Sequence, residues 1–142
     1  MIRRFKECDL SEVMKIWLDT NIKAHNFIPE EYWKSNYEMV KDILPQAEIY
    51  VHEDDATNLI NGFIGLIDSY IAGIFVKDNA QSKGIGKQLL DYAKSIKSEM
   101  SLSVYKENIR AVHFYLREQF QIQSENIDDS TKEKECIMTW NG

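Results

Sequence analysis

Long apolar runs are missing from this sequence. No stretch approaches the roughly 20 residues that a membrane-spanning helix needs, so no membrane association is expected. Cysteine is scarce: Cys8 and Cys136 stand at opposite ends without CxxC spacing. That argues against a disulfide scaffold or a zinc site and for a reducing cytoplasm, although a single bridge between the two ends stays open. Positive charge is in deficit, with 17 Lys and Arg against 23 Asp and Glu and a formal charge of −6. A surface of that sign argues against non-specific nucleic-acid binding and suits a cationic partner. The three histidines, His25, His52 and His113, are too scattered to suggest a metal site, and none is expected. The opening "MIRRFKECDL" has basic residues with no apolar run behind them, so no secretory signal is expected either.

What remains is enough for one core. At 142 residues, 44% of them hydrophobic, the chain suits a single globular domain spanning 1–142. "IRRF" reads as a first strand. Asp9 with Glu12 resembles a capping box, opening a helix with Leu10, Val13, Met14, Trp17 and Leu18 on one side. Pro29 suits the first turn of a second helix, along which Trp33, Tyr37, Val40 and Leu44 recur at helical spacing until Pro45. "AEIYVHE", "LINGFIGLID" and "YIAGIFV" read as three strands, the last two joined as a hairpin near Asp68 and Ser69. A third helix places Ile85, Leu89, Ala93 and Ile96 on one face. "LSVY" is a further strand. Asn108 then caps a fourth helix with Ile109, Val112, Leu116 and Phe120 inward. Gln121 to Ser124 and Cys136 to Trp140 close the chain as two strands around a polar loop. The class is α/β.

Two of the six glycines fall in "QSKGIG", directly after the strand "YIAGIFV" and directly before the third helix. The first N–H groups of a helix lack intrahelical partners and the helix dipole adds positive potential there, so a strand, a glycine turn and a helix start together make an anion site. Lys77, Lys83 and Lys87 flank it, and the physical reading is a diphosphate cradle. The Walker pattern is absent because Gln81 stands five residues before Gly86, and GxGxxG fails at Leu89.

The stretch Gln81-Ser82-Lys83-Gly84-Ile85-Gly86 matches Gln/Arg-x-x-Gly-x-Gly/Ala, and Asn108-Ile109-Arg110-Ala111-Val112-His113-Phe114-Tyr115 matches Asn-x-x-Ala-x-x-Phe-Tyr about twenty residues on. In this the chain resembles the GNAT (GCN5-related N-acetyltransferase) superfamily over nearly its whole length. With His25-Asn26-Phe27 after the first helix, it looks closest to the small bacterial acetyltransferases of the YiaC and YjaB type.

The resemblance implies a mixed, mostly antiparallel sheet of six to seven strands, splayed between the fourth and fifth, with about four helices. It implies acetyl transfer from acetyl-CoA to a primary amine by direct attack in a ternary complex, without a metal. The amine would belong to a protein lysine, a peptide N-terminus or a small molecule. Backbone groups from Ser82 to Lys87 (Ser82, Lys83, Gly84, Ile85, Gly86 and Lys87), together with Gln81, would hold the pyrophosphate. The strand edge of Ile74, Phe75 and Val76 would pair with the pantetheine arm, with Gly73 marking either a bulge or a packing accommodation. Asn108 is a helix cap, a pantetheine ligand, or both. Tyr115 is the candidate general acid or a core aromatic. His25, Phe27, Tyr32 and Trp33 lie in the segment that lines the acceptor pocket in this superfamily, His25 alternatively being a loop histidine bonded to backbone. Some members carry a glutamate base where Ser103 stands here, so no base is assigned; a water chain, Glu107 or an acceptor-loop residue would have to serve. A CoA-binding regulatory module without turnover, and a different nucleotide binder, are the competing readings. As to assembly, monomer and homodimer are both expected forms.

Overall fold

The computed structural model describes residues 1–142. Its strands are β1 (Ile2–Arg4), β2 (Glu48–Glu53), β3 (Ile60–Ile67), β4 (Tyr70–Val76), β5 (Glu99–Tyr105), β6 (Gln121–Ile127) and β7 (Lys134–Asn141). Its helices are α1 (Leu10–Ala24), α2 (Glu30–Ile43), α3 (Ile85–Ile96) and α4 (Ile109–Arg117). The strands form one seven-stranded sheet in the order β1-β2-β3-β4-β5-β7-β6. Every neighbouring pair is antiparallel except β4 and β5, which run parallel.

Alternation along the central strands sends side chains into two cores. Ile49, Val51 and Phe63 join Val13, Met14, Trp17 and Trp33 beneath α1 and α2. Tyr50, Ile64 and Leu66 face the other way and pack with Leu89, Leu90, Leu102, Phe120 and Met138. Each such side chain, taken out of water, contributes roughly 1.5–3 kcal/mol. With helices on both faces, β3 is buried from Ile60 to Leu66 rather than alternating in and out of water.

Four local expectations are corrected. Asp9 makes no cap hydrogen bond. It is buried, and its carboxylate accepts two bonds from the Arg3 guanidinium at 2.9 Å and one from the Lys6 N–H. Glu12 leaves the capping box as well and accepts from the Ile60 N–H at 3.0 Å, tying α1 to β3. In α3 the face is Ile85, Leu89, Leu90 and Ala93, while Ile96, the last helical residue, is exposed. In α4 Ile109 and Leu116 are exposed, and the helix buries Tyr115 with Ala111 and Val112 against the core. A helix of nine residues packed on β5 presents a narrow stripe, and the aromatic ring wins it over the aliphatic spacing. Finally, β6 and β7 extend into the polar loop at both ends, taking residues 125–127 and 134–135 and leaving a turn held by Asp128.

Candidate active site

The parallel pairing of β4 with β5 consists of two residue pairs, Tyr70 with Ser101 and Ile71 with Leu102. Beyond them the strands part. The cause lies in a bulge: Gly65 faces Gly73 while Leu66 faces Ile71, so Ala72 is an extra residue that bends β4 away. Gly73 serves both expectations, because it sits beside the bulge and a Cβ there would clash with the Phe75 ring. The outer edge of Ile74, Phe75 and Val76 therefore lacks a strand partner and borders a cleft of about 1020 Å³.

One end of that cleft is backbone. Ser82 adopts φ 65° and Gly84 φ 80°, two left-handed residues flanking Lys83 ahead of α3. In this conformation none of the N–H groups from Ser82 to Lys87 makes a hydrogen bond to a protein acceptor, and the first helical bond runs from the Gln88 N–H to the Gly84 carbonyl. Successive unpaired N–H groups at a helix start form an anion-binding concavity. Gln81 staples the turn, donating from Nε2 to the Val76 carbonyl at 2.9 Å. Arg110, from the first turn of α4, donates to Gln81 Oε1 at 2.9 Å and to Ser82 Oγ at 3.1 Å. Lys87 lines the cleft but is paired with Asp91 and Glu118, and the side chains of Lys77 and Lys83 are not part of the lining.

The opposite end is made of side chains. Asn108 caps α4 as expected, its Oδ1 accepting from the Ala111 N–H at 3.4 Å. Its Nδ2 lies 3.2 Å from His25 Nε2, and His25 Nδ1 lies 3.1 Å from the Asn21 carbonyl. Burial pushes the His25 imidazole down to about 4, so it is neutral at pH 7. The ring stacks on Trp33 at 5.1 Å and meets Phe27 and Tyr105 edge-on. The Tyr105 hydroxyl donates to Asp128 at 2.6 Å, which links this aromatic group to the β6–β7 turn. Between the two ends stands Tyr115, 7% exposed, lining the cleft with a hydroxyl that bonds no other protein group; burial raises its pKa further above the usual phenol range.

Of the residues singled out from sequence, Ile74–Val76, Gln81, Ser82, Gly84–Lys87, Asn108, Tyr115 and His25 come together around this one cleft. Phe27, Tyr32 and Trp33 stand behind His25 as an aromatic wall rather than on the cleft surface. His25 does carry the backbone bond of the alternative reading, and it faces the cleft as well. Ser103 is not in the lining, whereas Glu107 is. Sequence reasoning missed Arg110, Asn21, Tyr105 and Asp128, and gave no role to Phe114, which lines the cleft. Arg110 sits inside the second motif, and Tyr105 ends a strand three residues before its asparagine; Asp128 carries no local signal.

The family described as "Acetyltransferase (GNAT) domain" matches residues 45–122. Peptidyl-lysine N-acetyltransferase YiaC of Escherichia coli is 32% identical over 142 residues, covering 99% of this chain and 96% of the relative. The solution structure of apo YjaB from Escherichia coli superposes with a TM-score of 0.88 at 24% identity, covering 100% of this chain and 97% of the other. A spermidine N-acetyltransferase from Vibrio cholerae, solved with CoA and spermine, shares the fold at a TM-score of 0.71 and 21% identity, over 99% of this chain and 94% of that one. No helix is long and apolar enough to cross a membrane. A splayed sheet, a backbone cradle and two sequence motifs agree with these likenesses: the chain belongs to the GNAT acetyltransferase family and is an acetyl-CoA-dependent N-acetyltransferase.

Proposed function

We propose that the acceptor is the side-chain amine of a lysine in a protein or peptide, acetylated by direct attack within a ternary complex, in a single catalytic domain working in the cytoplasm. The relative named for peptidyl-lysine acetylation supports lysine over a peptide N-terminus or a small amine, and the net charge of −6 suits a cationic partner.

The observation that carries the cosubstrate site is the run of unpaired N–H groups from Ser82 to Lys87 at one end of a cleft bordered by an unpaired strand edge. The residues fit acetyl-CoA. A pyrophosphate would take the free N–H groups, with Gln81 and Arg110 holding the turn in its left-handed shape. The edge of Ile74, Phe75 and Val76 would accept the pantetheine arm as an added strand, one N–H polarising the thioester carbonyl. Bound there, acetyl-CoA supplies an activated acyl carbon. The new N–C bond forms as the C–S bond breaks; the amine gives up a proton and the departing sulfur gains one.

Tyr115 is the donor to that sulfur. Its ring is buried while its hydroxyl is accessible from the cleft and free of other protein partners, and its raised pKa keeps it protonated across the working pH range. Only about one lysine amine in 10³ is neutral at pH 7, so turnover rises with pH through the neutral range as the free amine accumulates.

Titration with acetyl-CoA and with ATP, followed by thermal shift, tests the site. Thiol release with lysine peptides, α-amine peptides and spermidine tests the acceptor. The expected result is an acetyl-CoA-specific shift and fastest release with lysine peptides. Binding without release from any acceptor would reduce the chain to a binding module, and a shift with ATP alone would end the CoA site.

A further inference from the structure

The bonds that join the two halves of the molecule across the cleft have a fixed polarity. The Asn21 carbonyl can only accept, so the His25 Nδ1 that lies 3.1 Å from it carries the proton. In a neutral ring Nε2 is then a bare lone pair. Asn108 Oδ1 is held by the Ala111 N–H, which turns Nδ2 toward that lone pair, 3.2 Å away. The chain of donors thus runs from Ala111 through Asn108 and His25 to Asn21, with no alternative tautomer or amide flip that satisfies all three contacts. Residues 25 and 108 belong to opposite sides of the splayed sheet, His25 following α1 and Asn108 preceding α4, and both line the cleft. The ring cannot rotate freely, since Trp33 stacks on one face while Phe27 and Tyr105 abut its edges.

We infer that His25 is a positioning residue: it fixes the amide of Asn108 so that the second Nδ2 hydrogen is presented to the cleft as a donor for a carbonyl of the acyl-carrying arm. This rests on the acetyl-CoA reading of the cleft and assigns His25 a role on the cosubstrate side rather than contact with the acceptor amine. The imidazole takes no part in proton transfer. Its lone pair is occupied, and burial keeps it from holding a proton at neutral pH.

A double-mutant cycle with His25→Phe and Asn108→Ala, read as the Kd for CoA by calorimetry alongside kcat and KM, tests this. His25→Phe keeps the aromatic stack on Trp33 but removes both ring hydrogen bonds. Each single change is expected to weaken CoA binding about five- to tenfold, with the double variant no weaker than Asn108→Ala alone and the acceptor KM unmoved. His25→Gln, which returns an acceptor atom to the Asn108 amide, recovers most of the loss. Ring 15N shifts in the unliganded protein give an independent readout that needs no turnover: Nδ1 protonated, Nε2 bare, and the Nε2 resonance displaced by Asn108→Ala. Additive losses in the cycle, or an Nε2-protonated ring, overturn the inference while the acetyltransferase reading stands. Failure of the unaltered chain to bind CoA overturns both. Should His25→Phe fail to fold, the same cycle is run with His25→Leu, which offers no acceptor: a CoA loss that disappears in the Asn108→Ala background supports the link, and unchanged CoA affinity in the single variant overturns it.

Discussion

The two ends of the cleft are built from different materials. The cradle at the start of α3 is one contiguous stretch, residues 81–87, whose working groups are backbone N–H donors exposed by two left-handed residues. The far end is an assembly of side chains from three distant segments: His25 and Trp33, Tyr105 and Asn108, and Asp128. Backbone chemistry is indifferent to side-chain identity apart from the residues that permit the conformation, so a short motif suffices to specify it. A side-chain assembly exists only once the fold has brought its members together.

Function can be separated from both ends at the residue between them. Tyr115→Phe removes one hydroxyl from a site already buried, and turnover is expected to fall about 10² or more with CoA affinity nearly unchanged, as measured by steady-state kinetics and calorimetry. A matching loss of CoA affinity would assign Tyr115 to binding instead.

The cradle is broken by bulk. Gly86 borders the cleft, and a Cβ at that position would sit 3.7 Å from the Phe114 ring and 3.8 Å from Val76. Gly86→Val adds branches that compete with the ligand for this space, and CoA affinity is expected to drop roughly tenfold, on the order of 1.4 kcal/mol, while the acceptor KM holds.

The side-chain end is sharpened by pH. Unfolded, the His25 imidazole takes up its proton below about pH 6.5; folded, burial delays uptake until about pH 4. Within that window the unfolded chain binds more protons, so stability falls as the pH drops through it, with no contribution from this group above it. Urea melts between pH 7 and 4 are expected to show a shallower decline in His25→Phe than in the unaltered chain. The smallest effect belongs to Tyr105→Phe. Loss of its 2.6 Å bond to Asp128 is expected to cost about 1 kcal/mol of stability and to leave CoA affinity untouched, by thermal and calorimetric measurement.

Legibility followed the same division. The order of strands and helices and the cradle were readable because alternation, glycine turns and two spaced motifs are local signals, whereas the splay was implied only by the family resemblance. The α4 face was misread because spacing alone ranked Ile109 and Leu116 above Tyr115, and only packing against the core beside β5 chose the ring. The Asp9 capping box was misread for a related reason: Arg3, one strand away, offers two charged donors where a helix start offers neutral N–H groups.

The sequence by itself determined the kind of fold, the turn that leaves N–H groups unpaired at the start of α3 and the family to which the chain belongs, since each depends on neighbours along the chain. Only the tertiary structure decided that His25 meets Asn108, that Tyr105 meets Asp128 and that Arg110 closes on Gln81 and Ser82. Those contacts span 23 to 83 residues of chain, and no periodicity or motif encodes which side chains meet when a sheet bends at one inserted residue.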